Sequence, residues 1–293
     1  MTEQDLKKIV LETYESLEQR ADSWGLERIA YENISNHFPA DSQGTSFVIY
    51  FEQKGEWREF LGYYQQTNAE KKYPEYDPLL PIENICFLDN GIGYDYIHLV
   101  LRHSTKKTRQ DQTGMFGEGL KMASAAELRH NITVKRSSKD WIAQAFSKKI
   151  DLAEVAEGLY CQEVTTGNET VIGSQTVIYH PPRSFVRQVL SFRKRIFYFR
   201  KDLPKLELDG LHADHKVFAD KLFKGELFVK NIRYQTKLPL YLTYQINGQQ
   251  ADNLLSPDRN NVLTDQLHQP LAEIIWNFND ADLIGGLIDN TKP

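Results

Sequence analysis

Three short stretches of this sequence combine residue types at spacings that suit phosphate and purine chemistry. In Leu88-Asp89-Asn90-Gly91-Ile92-Gly93 a carboxylate follows a strand-like apolar run and precedes two glycines. A carboxylate at a strand end accepts a hydrogen bond from an exocyclic amine such as that of adenine, and Gly91 and Gly93 let backbone approach a flat ring with no Cβ in the way. The plainer alternative is a turn, which Asn90-Gly91 also suits. In Thr113-Gly114-Met115-Phe116-Gly117-Glu118-Gly119-Leu120-Lys121, the glycines Gly114, Gly117 and Gly119 lead into a helical pattern. Such a loop offers backbone amides and a positive helix end to an anion, or else is simply flexible. It is not a Walker loop, because no Gly-Lys-Ser/Thr follows, and it lacks the leading strand of a Rossmann fingerprint. In Tyr31-Glu32-Asn33-Ile34-Ser35-Asn36, Glu32 and Asn36 stand four apart and share one helix face. The Asn36 amide oxygen suits one ligand position of Mg2+, whose other positions go to phosphate oxygens and water. Glu32, one turn earlier, is placed to orient or deprotonate a water attacking a terminal phosphate. Taken alone, the pair reads as a solvated helix face.

The elements that must position these residues follow from periodicity. Leu6, Ile9, Val10, Tyr14 and Leu17, at steps of three and four, predict a first amphipathic helix, interrupted by Ser23-Trp24-Gly25. A second helix is expected from Leu26 to Phe38, with Leu26, Ile29, Ala30 and Ile34 on one face and Pro39 closing it, so that two helices precede any strand. Thr45 to Phe51 and Ile82 to Leu88 read as strands joined by a long surface connection containing Pro74, Pro78 and Pro81. Helices are expected at Tyr94 to Arg102, Gly117 to Leu128 and Asn261 to Phe278. Strands are expected at Asn131 to Arg136, Trp141 to Ser147, Gln175 to His180, Glu226 to Tyr234 and Tyr241 to Tyr244. The pair Pro181-Pro182 marks the expected boundary between residues 1–182 and a smaller region, 183–293.

Composition narrows the class. With 293 residues the chain buries a substantial core without metal or disulfide, and 26% charged residues with 41% hydrophobic ones exclude a disordered chain. The charged start, with no apolar run long enough for a signal peptide or a bilayer span, predicts a cytoplasmic protein with no membrane partner. Cys86 and Cys161 stand too far apart for a metal motif and read as reduced buried thiols. A net charge of -5 argues against nucleic-acid affinity over the whole surface. From Arg183 to Lys205, basic residues alternate with Phe185, Phe192, Phe197, Tyr198 and Phe199, which reads first as a half-buried helix with a solvated basic face and second as a phosphate-backbone contact.

The order of the three stretches, helix with Glu and Asn, then strand with Asp-x-Gly-x-Gly, then glycine lid leading into a helix, resembles the GHKL superfamily of gyrase B subunits, Hsp90-type chaperones, histidine kinases and MutL. The resemblance covers roughly Leu26 to His180, and Leu99 to Lys107 followed by Gly114 to Ala123 looks closest to its MORC-like and Hsp90-like members. It implies a Bergerat fold: a two-layer α/β sandwich with a mixed, largely antiparallel sheet, plus a smaller C-terminal α/β region, transducer-like in character. It implies ATP and Mg2+ as ligands, Glu32 as general base, Asn36 as magnesium ligand and Asp89 as the adenine partner flanked by Gly91 and Gly93. Gly114, Gly117 and Gly119 become phosphate-loop glycines, with Phe116 and Leu120 in the same nucleotide-binding set. Lys106 meets phosphates or belongs to a charged loop. Thr176 matches the threonine that supports the adenine site, although its neighbour is Gln175 where the family has glycine. His37-Phe38-Pro39-Ala40 also departs from the family's Asp-Ala after the asparagine. The activity so implied is a slow Mg-dependent ATPase whose lid closure acts as a conformational switch toward a protein partner or a nucleotide-dependent homodimer. A non-hydrolysing ATP sensor or adaptor and a DNA-acting ATPase are the alternatives. Because no histidine precedes His37, the phosphoacceptor helix of a histidine kinase has no acceptor. Toward the C-terminus, Lys237 and Arg259 are candidates to reach a terminal phosphate, Arg259 the better placed.

Overall fold

The computed structural model describes residues 7–16, 24–37, 46–64, 73–99, 119–152, 155–197, 215–218, 225–256, 261–277, 281 and 284–285. Described residues up to Ser191 form one compact unit, and those from Phe192 onward form a second. The chain is mixed α/β, with a large antiparallel sheet in the first unit and a smaller mixed sheet in the second.

The first unit begins with a strand, β1 (Lys7–Ser16), which corrects the expected helix. Its apolar residues satisfy both periods on paper, but Ile9 and Leu11, two apart, pack against Leu99, Trp141, Ala143 and Val164, while Val10 between them points out at 47% exposure. Pairing with a distant strand, unavailable to local propensity, decides the matter. Helix α1 (Leu26–His37) follows, with Ile29, Ala30 and Ile34 fully buried. Strands β2 (Ser46–Gln53) and β3 (Glu56–Tyr64) form a hairpin closed by Lys54 and Gly55, both at positive φ, as a tight two-residue turn with the sheet's twist requires. The expected surface connection therefore contains a strand, hidden in sequence by the charged residues Glu56, Arg58 and Glu59.

Strand β4 (Asn84–Asp89) leads through the glycine loop to a single 3-10 turn, Tyr96–Leu99, in place of the expected helix, whose last residues lie outside the described ones. Helix α2 spans Gly119–Arg129. The separate strands expected later merge into a long pair, β5 (Thr133–Leu152) and β6 (Val155–Tyr179). Lys139-Asp140, polar enough to suggest a break, is instead an irregularity in register with Lys139 at positive φ. Strand β6 organises the sheet. Along one edge it carries β5; along the other, β4 pairs with its last residues and β1 with an earlier stretch, and β2 and β3 extend the sheet beyond β4. Helix α3 (Arg183–Ser191) comes after the proline pair yet packs on α1, so the change of unit falls at Ser191/Phe192. It buries Phe185 and Val189 and exposes Arg183 and Arg187.

Strand alternation divides the sheet's side chains between two faces. Phe47, Ile49 and Phe51 of β2, Ile85 and Phe87 of β4 and Ile178 of β6 are all fully buried on the face that carries α1. The opposite face gathers Val48, Tyr50 and Cys86 with Trp57, Tyr64, Tyr73, Leu88 and Val177. Burial of each large side chain contributes roughly 1.5–3 kcal/mol relative to exposure.

In the second unit, β7 (His215–Phe218), β8 (Leu227–Val229), β9 (Ile232–Tyr234) and β10 (Thr243–Ile246) lie in the order β7-β10-β8-β9, with β10 and β8 parallel. The strand expected over Glu226 to Tyr234 is thus a hairpin, turned at Lys230 and Asn231, both at positive φ. Helices α4 (Gly248–Asn253) and α5 (Thr264–Trp276) bury Ala251, Leu267 and Ile274 with Val217, Val229, Leu242 and Ile246. Among the described residues no helix is long and apolar enough to cross a membrane.

Candidate functional site

Two polar constellations gather along α1, and the sheet register explains one of them. In the β4–β6 pairing, Asp89 faces Ser174 and Phe87 faces Thr176. Directly opposed and alternate residues share a face, so carboxylate, two hydroxyls and an aromatic ring all project toward the C-terminal end of α1. There His37 joins them. Its Nδ1 lies 2.7 Å from Asp89 Oδ2 and its Nε2 2.8 Å from Thr176 Oγ1, and its ring stacks at 6.2 Å on that of Phe87. Ser174 Oγ donates to the same Asp89 Oδ2 and stands 3.2 Å from His37 Nδ1. Because an ionised carboxylate only accepts, Nδ1 carries the proton toward Asp89, and in the neutral ring Nε2 accepts the Thr176 hydroxyl.

The second oxygen of Asp89 accepts the Gly91 backbone amide at 2.9 Å, folding the glycine loop back over the strand end. Burial of Asp89 acts to raise its pKa, but the hydrogen bond and charge of His37, the Ser174 hydroxyl and the Gly91 amide together outweigh it, and the carboxyl is held below its ordinary value. The loop is pinned from behind. Gly93 sits at φ +68°, and a Cβ there would lie 2.5 Å from Ser138 Oγ; Gly173, at φ +75°, would place one 2.1 Å from the Asp89 carbonyl oxygen. Ser138 Oγ donates to Gly173 O at 2.6 Å and accepts the Tyr94 amide at 3.0 Å, while Trp141 Nε1 donates to Tyr94 O at 2.9 Å.

Glu32 lies five residues before His37 on α1, 5% exposed, with Oε1 2.6 Å from an Arg28 guanidinium nitrogen. Gly119, the first residue of α2, is packed directly against it: a Cβ at Gly119 would meet Glu32 Oε2 at 2.3 Å. A carboxylate at a helix N-terminus is electrostatically favoured. Beside it, Asn33 Nδ2 donates to Glu127 Oε1 at 2.8 Å, and Arg136 meets both Glu127 oxygens at 2.7 and 2.8 Å, a closed network tying α1, α2 and β5.

The structure therefore brings Asp89 and Thr176 together through His37, and Glu32 against Gly119. Asn36 is half-buried on α1, and Gly91 and Gly93 shape the loop. Leu120 packs on the Leu99 and Trp141 cluster, and Ile92 is 65% exposed at the loop tip. Lys106, Gly114, Phe116, Gly117 and Arg259 lie outside the described residues. Lys237 belongs to the second unit. Sequence reasoning missed His37, which it took as a departure, and Ser174, although Ser174-x-Thr176 on a strand already places two hydroxyls on one face.

Among the described residues no group of three or more His, Cys, Asp or Glu is arranged to hold a metal. Asn36, half-buried on α1, carries a neutral amide oxygen, a ligand type that Mg2+ accepts. Comparison of the chain with protein-family models and with curated proteins gives no match.

Proposed function

We propose that the first unit is a Bergerat-type sandwich that binds ATP with Mg2+ and hydrolyses it slowly, its glycine lid closing over the phosphates. The observation that carries this reading is the placing of an ionised carboxylate, Asp89, under a glycine loop, on the same helix-covered face as Glu32 and the start of α2. Asp89 would accept the exocyclic amine of adenine, Thr176 would support it, and Asn36 would hold the metal that ATP brings. Magnesium supplies charge neutralisation for the phosphates. Glu32 would position the attacking water, near the amides where α2 begins. Lid closure then changes how the chain meets a protein partner or a second copy of itself. Purified protein with ATP and Mg2+ is expected to release phosphate above a Glu32→Ala control, which retains ATP binding. Equal release from both proteins rejects hydrolysis.

One observation favours a second reading, a sensor that binds ATP without turnover. Arg28 sits 2.6 Å from Glu32 Oε1, so this carboxylate is already engaged in an ion pair. In that case ATP protects the start of α2 from hydrogen exchange and no phosphate is released.

A further inference from the structure

Asp89 is deeply buried, and burial alone favours its neutral, protonated form; His37 is the foremost group opposing that. A protonated carboxyl donates as well as accepts, whereas an ionised one only accepts. We infer that His37 sets the base selectivity of the site: bonded to Asp89 and Thr176, it keeps the carboxylate a pure acceptor, so that a purine carrying an amine is bound in preference to one carrying a carbonyl at that ring position.

The geometry supports this role over simple core filling. The ring sits with one nitrogen 2.7 Å from Asp89 Oδ2 and the other 2.8 Å from Thr176 Oγ1, so both nitrogens are spent on residues of the base end. Among the described residues three donors, from His37, Ser174 and Gly91, occupy Asp89, and a carboxylate accommodates about four. The remaining acceptor position suits one amine hydrogen. His37 is thus a positioning residue acting through Asp89. The inference rests on the nucleotide reading above.

The test compares full-length wild type, His37→Phe and His37→Asn. Phenylalanine keeps a flat ring against Phe87 and loses both nitrogens; asparagine keeps a donor near the place of Nδ1. Binding of ATP and of inosine triphosphate, which replaces the amine with a carbonyl, is measured by calorimetry with Mg2+. The Asp89 carboxyl carbon is titrated by NMR without nucleotide. Wild type is expected to prefer ATP by on the order of tenfold or more, the reach of one hydrogen bond to a charged group. His37→Phe loses most of that preference, chiefly by gaining affinity for inosine triphosphate, and titrates at higher pH; His37→Asn recovers both toward wild type. Should His37→Phe fail to fold, His37→Asn and the wild-type preference still decide. An undiminished ATP preference in folded His37→Phe overturns the inference, as does an absent preference in wild type or an Asp89 titration that ignores residue 37. If wild type binds neither triphosphate, the nucleotide reading and the selectivity fall together, while an Asp89 titration that depends on His37 shows that the pairing itself was correctly assigned.

Discussion

Residues one turn apart on α1, Asn33 and His37, enter two polar clusters built from similar groups with opposite outcomes. Asn33 joins Glu127 and Arg136, an ion pair in which one guanidinium nitrogen meets both carboxylate oxygens and both partners are at 2% exposure or less. His37 joins Asp89, Ser174 and Thr176 at the end of β4, beside a glycine loop whose tip is exposed. The first cluster spends its charges on each other and fastens two helices to a strand. The second sets a single carboxylate among a histidine, a serine hydroxyl and a backbone amide of the loop, with no second carboxylate or guanidinium among the described groups bonded to it.

The difference can be broken most severely at the closed cluster. Arg136→Leu strands the Glu127 carboxylate in the core, and loss of one partner of a buried pair is expected to cost about 3–5 kcal/mol, read as a lowered urea midpoint. A loss below about 1 kcal/mol would show that water reaches Glu127. Next in size is Gly173→Ala, which must accommodate a methyl against the Asp89 backbone at positive φ; roughly 1–3 kcal/mol should be lost, with displacement of the glycine loop visible as faster amide exchange at Gly91 and Gly93. A smaller effect is expected for Asp89→Asn, about 1–2 kcal/mol at neutral pH, because the amide keeps the shape while losing acceptors for His37, Ser174 and Gly91. Its pH dependence carries a definite sign. The folded pKa of Asp89 lies below its ordinary 3.8, so its stabilisation is present above that value and disappears as pH falls through the folded pKa. The stability gap between wild type and Asp89→Asn should therefore close at strongly acid pH, and a gap that widens there contradicts the ionised state. Smallest of all, Cys86, buried on the opposite face with its thiol pushed up to about 12 by burial, should resist alkylation in the native protein at pH 8 and react only on unfolding.

The parts of this site that sequence reveals are those encoded locally. Glu32 and Asn36 share a helix because they stand four apart, and Asp89 ends a strand because apolar residues run up to it. Only the order of the motifs argues that they serve one site; the structure itself joins Asp89 to His37 and Glu32 to Gly119. His37 was illegible, since its role arises where the ends of β4 and β6 reach α1, and nothing in Asn36-His37-Phe38 announces that. β1 misled for a related reason: Ile9, Val10 and Tyr14 fit a helix until β6 supplies an edge. Lys139 and Asp140 concealed the length of β5, because a bulge tolerates the polar residues that elsewhere mark a turn.

Calorimetric titration of ATP with Mg2+ into wild type and Asp89→Asn, both folded, tests the central proposal most directly. Binding that weakens by about tenfold to a hundredfold in the variant is the result this account predicts. Equal affinity in the two proteins, or no heat of binding with wild type at millimolar ATP, would contradict it.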